Sequence, residues 1–423
     1  MKIYYLKNDI FFYLFSYLDK YTCSNLEYVE FDPTSVADIE NTENNIILFS
    51  NLILEDVLVM IRIIEILRTL YDTINIRIVS GGAGHYVLNN EHLIAWYPEI
   101  SHICVGKGEN FLKSLVEDNL PEGIYYSGDF GQIKDYVVSK KYRLEERVLL
   151  TYRDNRCDWQ KCLFCHHQTK NVLPVFSPQN IAEKICYYID ECGYSRFIIY
   201  DNNLAPENLR DTFRILKKNG YDKYNLDFEL FGLRVDSNYR AIEEITESWQ
   251  HNPISGGSWG VEFYDQNILD MYAKNSSLDQ IDGALEFFNK VNIKNYVYLL
   301  LGLPLIEKEH IANLRKFVYE KAPLVEQYLV SFFLLNDSLR MYDMKEEFKI
   351  KLKRFYTLKD YFFMNAESVP AIKTRFFDFI SWSDEYGSYL SREEVLAKYF
   401  TLLGHPKIYA KWELFFLKPK SGF

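Results

Sequence analysis

Hydrophobic and polar positions along the first 120 residues switch repeatedly between strand-like and helix-like spacing. Residues 2–6 read as a short strand, 9–21 as a helix, 26–31 as a strand and 45–49 (NIILF) as a buried strand. A helix over about 54–71 leads to a strand at 76–79 (IRIV), which runs into Ser80-Gly81-Gly82. Such alternation predicts a doubly wound, Rossmann-like parallel sheet with ligand-binding turns at the carboxyl ends of its strands.

A second alternating series follows. Strands are expected at 148–153, 196–201, 226–233, 256–262, 296–302 and 326–334, and helices at 178–191, 206–218, 239–249, 277–290 and 308–320. Ser177 can cap the first of these helices, and Pro178 suits its first turn. Six strands with five intervening helices make a partial (β/α)6 TIM barrel, whose functional groups should lie at the carboxyl ends of the strands. The fold class is therefore α/β: a doubly wound domain at 1–125, a linker at 126–145 marked by glycines, a partial barrel at 146–335 and a carboxyl-terminal α-rich extension at 336–423. That extension is rich in Tyr, Phe, Lys and Glu and reads as helical around 391–402.

Composition narrows the setting. The 423 residues suffice for two or three cores. A formal charge of −11 works against non-specific binding to nucleic acid or anionic membranes and leaves a small molecule or a peptide as the expected partner. The apolar run at 52–70 is broken by Glu55, Asp56, Arg62, Glu65 and Arg68, so it reads as an amphipathic helix and not a membrane span. The first 20 residues have neither a long apolar stretch nor a small-residue cleavage site, and a cytoplasmic location is expected, where thiols stay reduced.

Candidate chemistry concentrates in RCDWQKCLFC, residues 156–165, which holds three of the seven cysteines. Cys157-x4-Cys162-x2-Cys165 admits three readings: a zinc site completed by His166 or His167, a Cys-x-x-Cys redox pair, or three thiolates holding an iron–sulfur cluster with one iron open. Local spacing does not separate them. Position favours the last, because the loop follows the first barrel strand, where a cofactor with an open coordination site fits better than a structural staple.

From about residue 148 to 333 the chain resembles the radical S-adenosylmethionine superfamily. The superfamily spacing is Cys-x3-Cys-x2-Cys, so this chain carries one extra residue in the first gap. Phe164 matches the aromatic position before the last cysteine, beside the adenine in the family. Tyr200-Asp201-Asn202-Asn203 falls where the family has polar groups for the methionine amino group, and Leu233-Arg234-Val235-Asp236 resembles its Leu-Arg-x-Asp, whose arginine reaches the methionine carboxylate. Gly260-Val261-Glu262 resembles the Gly-Val-Glu whose acid faces the ribose, and Leu299 to Pro304 resembles the adenine-lining strand, with Leu303 in its Gly-Leu-Pro. The resemblance implies a [4Fe-4S] cluster on Cys157, Cys162 and Cys165. S-adenosylmethionine would then lie on Phe164, Asp201, Asn202, Arg234, Glu262 and Leu303, and its reductive cleavage would give a 5′-deoxyadenosyl radical.

Residues 1–120 resemble the cobalamin-binding domain that precedes the barrel in one branch of the superfamily, on Ser50-Asn51-Leu52, Gly81-Gly82 and the Val105–Glu109 segment. That resemblance implies Ser50, Leu52, Gly81 and Gly82 as cobalamin contacts if cobalamin is bound. No Asp-x-His-x-x-Gly is present, so no histidine ligand to cobalt is expected. The alternative is an empty scaffold, in which Gly81-Gly82 serves only a tight turn.

The main expectation is a radical modification of a carbon centre in a ribosomally made peptide, with a flavodoxin or ferredoxin as electron donor. The alternative is cobalamin-dependent C-methylation of a peptide or small natural product, and a zinc-binding, non-enzymatic module is a third reading. No residue is assigned to catalysis. All seven cysteines precede residue 193, which rules out a late cysteine as hydrogen donor, and Cys186 and Cys192 read as ordinary thiols on or after a barrel helix. Tyr342, Phe348, Tyr356, Tyr361, Trp382 and Tyr386 could cover the open side of the barrel.

Overall fold

The computed structural model describes residues 1–333 apart from short stretches at 7–8, 23–24, 33–34, 52–53, 83–84, 86–89, 119, 131–135, 143, 145–146, 153–156, 158, 166–175 and 238. Beyond these it describes 340–344, 346–348, 351–355, 379–383 and 408–410. The chain divides into two compact units whose main bodies are Met1–Glu145 and Glu146–Arg354.

The first unit runs β1 (Lys2–Leu6), α1 (Asp9–Tyr21), β2 (Glu27–Phe31), β3 (Ile46–Ser50), α2 (Leu54–Leu70), β4 (Arg77–Gly82), α3 (Asn90–Trp96), β5 (Ile100–Val105), α4 (Glu109–Asp118) and β6 (Gly123–Tyr126). Its six strands lie in the order β2-β1-β3-β4-β5-β6 and pair in parallel throughout. Ile46, Ile47, Ile78 and Val79 are fully buried, as expected of a parallel sheet with both faces covered. Strand order reverses between β1 and β3, which puts the ligand crevice of a doubly wound sheet at the carboxyl end of β3, beside Ser50.

Two strands here had no sequence counterpart. β5 (ISHICV) has polar Ser101 and His102 in a buried strand. Ser101 Oγ donates to Ile78 O at 3.1 Å and contacts His102 Nδ1 at 2.8 Å, while His102 Nε2 reaches Leu120 O at 2.9 Å. Once paired, these side chains can be buried without a large penalty, but they break the apolar run that would announce a strand. β6 falls among turn residues and is short.

The second unit runs β7 (Val148–Leu150), α5 (Pro178–Asp190), β8 (Arg196–Tyr200), α6 (Pro206–Lys218), β9 (Asp227–Leu233), α7 (Arg240–Ser248), β10 (Ile254–Glu262), α8 (Gln266–Met271), α9 (Leu278–Lys290), β11 (Lys294–Leu301), α10 (Lys308–Lys321) and β12 (Gln327–Phe332). These are the expected six strands and five helices, with α8 added. The strands follow one another in sequence order and in parallel, and a further strand, Ile408–Ala410, lies parallel to β12. The cap on α5 forms as the sequence indicates: Ser177 Oγ accepts from Asn180 N at 3.2 Å, and Asn180 Oδ1 accepts from Ser177 N at 3.1 Å. Trp259 fills the core behind β10 and donates from Nε1 to Asn295 Oδ1 at 2.8 Å.

In the extension the described residues form a short helix, Arg340–Asp343, and strands Lys351–Phe355 and Phe379–Ser383, which pair. The helix expected around 391–402 lies outside the described residues. Of the six extension aromatics singled out above, Phe348 has a described side chain, and it is buried with its ring 5.3 Å from that of Tyr272.

Candidate cofactor site at the barrel mouth

Five of the six barrel strands deliver residues named from sequence at their carboxyl ends. Cys157, Cys162 and Cys165 follow β7, Asp201 and Asn202 follow β8, Arg234 follows β9, Glu262 closes β10 and Leu303 follows β11. Cys162 is buried, whereas Cys157 and Cys165 are partly accessible, and none of the three is in a disulfide. Burial pushes the Cys162 thiol up, with the Lys274 ammonium acting in the opposite direction. Among the described residues no three His, Cys, Asp or Glu side chains stand close enough to hold a single ion. The corners of a cluster stand further apart than the ligands of one zinc. His166 and His167, the candidate fourth zinc ligands, lie outside the described residues.

The β8 end is shaped by a glycine on the neighbouring strand. Gly232 has φ +89°, and a β-carbon there would lie 1.5 Å from Asp201 O. That close approach lets Asp201 N bond Phe231 O at 3.1 Å and Leu204 N bond Gly232 O at 2.9 Å, turning the chain sharply. Asp201 is buried and accepts from Thr151 Oγ1 at 3.0 Å. Asn202 accepts from the Tyr200 hydroxyl at 3.0 Å, while its Nδ2 is buried without a hydrogen-bond partner. Whichever way the amide is turned, one of its polar atoms is left for a ligand, and that is the feature best suited to a bound polar cofactor.

Arg234 grips Asp236 through two bonds of 2.8 Å, from Nε to Oδ1 and from Nη2 to Oδ2. Glu262 sits at a bulge in β10 with φ 67°, an unfavourable backbone for a non-glycine residue that re-aims its carboxylate. Lys274 Nζ meets Glu262 Oε1 at 3.2 Å and lies 5.7 Å from the centre of the Phe164 ring. Burial works against the lysine's charge, but the Glu262 carboxylate and the Cys162 sulfur together more than offset it and the pKa is raised. Glu262 therefore meets any ligand as half of an ion pair. Leu303 is buried, and its neighbour Pro304 accepts the Tyr272 hydroxyl at 2.6 Å.

Sequence reading passed over three residues here. Lys274 was given no role from sequence. Tyr298 alternates with buried Val297 and Leu299 and so takes the other face of β11. Burial, Tyr200 and Glu262 push its pKa up to about 12. Trp159 gave no signal, since a tryptophan between cysteines has no general meaning.

In the first unit, Ser50 pairs in register with Gly81 across β3 and β4, at the crevice, and Leu52 lies outside the described residues. Gly82 has φ +110°, and a β-carbon there would lie 2.6 Å from Asn51 O, so the fold itself requires glycine. Gly81 has no such constraint: a β-carbon would meet Cys104 O at 3.4 Å, an ordinary contact. Asn51 is buried and donates to Ser80 Oγ at 2.5 Å, while its Oδ1 has no partner. An open glycine and an unpaired buried acceptor at the switch point are compatible with a large polar ligand such as cobalamin.

No family model and no curated protein matches the sequence. Solved structures do match. TsrM from Kitasatospora setae, a radical S-adenosylmethionine methyltransferase with cobalamin and a [4Fe-4S] cluster bound, superposes with a TM-score of 0.66 at 12% identity, over 96% of this chain and 92% of its own. The same enzyme with tryptophan substrate and a S-adenosylmethionine analogue gives 0.66 at 13% identity over 96% and 90%. OxsB, a cobalamin-dependent S-adenosylmethionine radical enzyme, gives 0.59 at 13% identity over 94% of this chain and 66% of its own. The resemblance read from the motifs is thus matched by the architecture: this chain has the fold of the cobalamin-dependent radical S-adenosylmethionine enzymes, a doubly wound domain followed by a partial barrel.

Proposed function

We propose that this chain is a radical S-adenosylmethionine enzyme that also binds cobalamin and transfers a methyl group to a carbon centre. The observation that carries the reading is the three-cysteine loop at the end of the first barrel strand in a chain that superposes on TsrM over 96% of its length. The fold neighbours support methyl transfer, the alternative in the sequence reading, better than a cobalamin-free rearrangement.

Cys157, Cys162 and Cys165 would hold three irons of a [4Fe-4S] cluster, and the bound cofactors would supply the redox and methyl-carrying chemistry. The remaining work falls to this chain's own residues. Arg234, already paired with Asp236, offers its outer guanidinium edge to the methionine carboxylate, and Asn202 offers the amide atom left free by Tyr200. Glu262, held by Lys274 through one oxygen, keeps the other for a ribose hydroxyl. Phe164 and Leu303 give the adenine apolar surfaces that exclude water. A peptide or small natural product is the proposed substrate, and a flavodoxin or ferredoxin the electron source.

A second reading keeps the barrel chemistry and leaves the first unit as scaffold, a view favoured by Gly82, whose conformation the fold alone explains. Anaerobic reconstitution followed by iron, sulfide and corrinoid analysis tests both. The proposal expects about four irons and four sulfides per chain, release of 5′-deoxyadenosine or S-adenosylhomocysteine, and a retained corrinoid absorbance. Cluster without corrinoid would leave the second reading, and a colourless protein with one zinc and no sulfide would end both.

A further inference from the structure

The extra residue between Cys157 and Cys162 has a defined conformation and a defined consequence. Gln160 has φ 48°, a left-handed turn unusual for a residue other than glycine or asparagine. The turn is flanked by Trp159, whose indole Nε1 donates to Ala273 O at 2.8 Å. Four residues on, Leu163 N donates to Tyr272 O at 3.1 Å. The cysteine loop is thereby fastened at two points to the carboxyl end of α8.

That end is itself a left-handed cap. Lys274 N bonds Leu269 O at 2.9 Å and Ala273 N bonds Asp270 O at 3.0 Å, the paired bonds of a Schellman motif, with Ala273 at φ 54° where glycine is usual. The Tyr272 and Ala273 carbonyls that receive the cysteine loop belong to this cap. The Trp159 ring also carries the Arg234 guanidinium, whose carbon lies 5.4 Å from the ring centre, and the Lys161 ammonium lies 4.7 Å from it. Arg234 is thus held by Asp236 at its fork and by Trp159 at its face.

We infer that the widened Cys-x4-Cys spacing is a positioning device: the left-handed turn at Gln160 aims Trp159 into the α8 cap and against Arg234, fixing the arginine for the methionine carboxylate. This rests on the cluster and S-adenosylmethionine reading above. A loop of usual spacing lacks the residue that makes this turn, and the inference is that the turn is what lets the indole at residue 159 meet both Ala273 O and Arg234. Trp159 is a positioning residue, since it acts through Arg234 and the loop backbone.

The test uses the full-length, anaerobically reconstituted protein as wild type, W159F, W159L, Q160G and a variant with Gln160 deleted. Iron and sulfide content, the cluster's electron paramagnetic resonance change on adding S-adenosylmethionine, and the Kd for S-adenosylmethionine are read on each. The inference expects W159L to retain its cluster but bind S-adenosylmethionine about tenfold more weakly, with W159F intermediate because it keeps the ring face and loses the N–H. Q160G should match wild type, because glycine takes a left-handed turn without strain. Deletion of Gln160 should bind at least as weakly as W159L, and the spectral change on binding should be reduced in both. A wild-type cluster that binds S-adenosylmethionine, with W159L and the deletion binding equally well, overturns the inference alone. W159L that loses iron while its Kd on the remaining clusters is unchanged also overturns it, since that is a purely structural role. A wild type that takes up no iron overturns the inference together with the reading beneath it.

Discussion

Lys274 and Glu262 form an ion pair of 3.2 Å, largely sheltered from water, in a space that exists because residue 260 is glycine. A β-carbon at Gly260 would stand 2.8 Å from Glu262 Oε1 and 3.1 Å from Lys274 Nζ. Both atoms are the far ends of flexible side chains, so G260A can fold by pushing the pair aside. The expected result is a thermal midpoint within a few degrees of wild type, with S-adenosylmethionine binding weakened roughly tenfold as Glu262 is re-aimed. Thermal melts and equilibrium binding on one preparation check it, and unchanged binding would show that the pair does not face the ligand.

Gly232 makes the opposite case. Its β-carbon would sit 1.5 Å from a backbone oxygen, Asp201 O, and its φ of +89° adds strain. Neither can relax without moving the turn that carries Asp201 and Asn202, so G232A should lose about 3 kcal/mol or more and fail to give soluble protein. Gly193 is the control. It has φ +73° with open space around it, so G193A should cost about 1 kcal/mol and stay soluble. Soluble yield and urea midpoints separate the two, and a well-folded G232A would contradict the close approach.

The barrel was legible because its strands and helices alternate cleanly and each helix has an apolar face. The helix α8 was not, because it spans six residues and its identity lies in its caps: Asp265 Oδ1 accepts from Asn267 N at 3.0 Å and Ile268 N at 3.3 Å, and Ala273 turns left-handed at the other end. A cap made by Asp can be read in sequence, but a left-handed alanine cannot. The cysteine loop has the same limit. Its candidate metal-binding cysteines stand out, while the conformation of Gln160 and the reach of Trp159 depend on α8, more than a hundred residues away. Strand-end residues were found from motifs, but the partners that hold them, Thr151 on Asp201 and Lys274 on Glu262, come from packing that sequence order does not disclose.

His85 predicts a pH dependence of stability in the first unit. It is buried against Ser80 Oγ at 2.6 Å and Asn90 Oδ1 at 2.7 Å, and burial pushes its pKa down to about 4, with the Asn90 bond opposing. The unfolded imidazole titrates near its ordinary value of about 6.5. Between these values the unfolded chain binds a proton that the folded chain does not. The stabilisation is therefore complete above about pH 6.5 and is lost on acidification, at up to about 1.4 kcal/mol per pH unit. H85Q removes this titration and leaves the others, so the wild-type advantage over H85Q in urea should shrink from about pH 7 to pH 4.5. Parallel curves would show that His85 is not held neutral.

The two adjacent glycines that close β4 separate a bound cobalamin from an empty scaffold. Gly82 is required by the fold, since a β-carbon would collide with Asn51 O at 2.6 Å, and G82A should destabilise the unit whatever it binds. Gly81 is different, because an added β-carbon meets only ordinary contacts at Cys104, 3.4 Å to its O and 3.6 Å to its Cβ. G81A should therefore change stability by about 1 kcal/mol or less. If the crevice beside Ser50 takes a corrinoid, G81A should still weaken cobalamin binding by about tenfold, because a methyl group intrudes where ligand and backbone meet. Corrinoid absorbance retained through gel filtration, read beside a thermal melt, gives both quantities. A stable G81A that holds cobalamin as tightly as wild type would place the ligand elsewhere, and a wild type that holds none would return Gly81-Gly82 to the role of a turn.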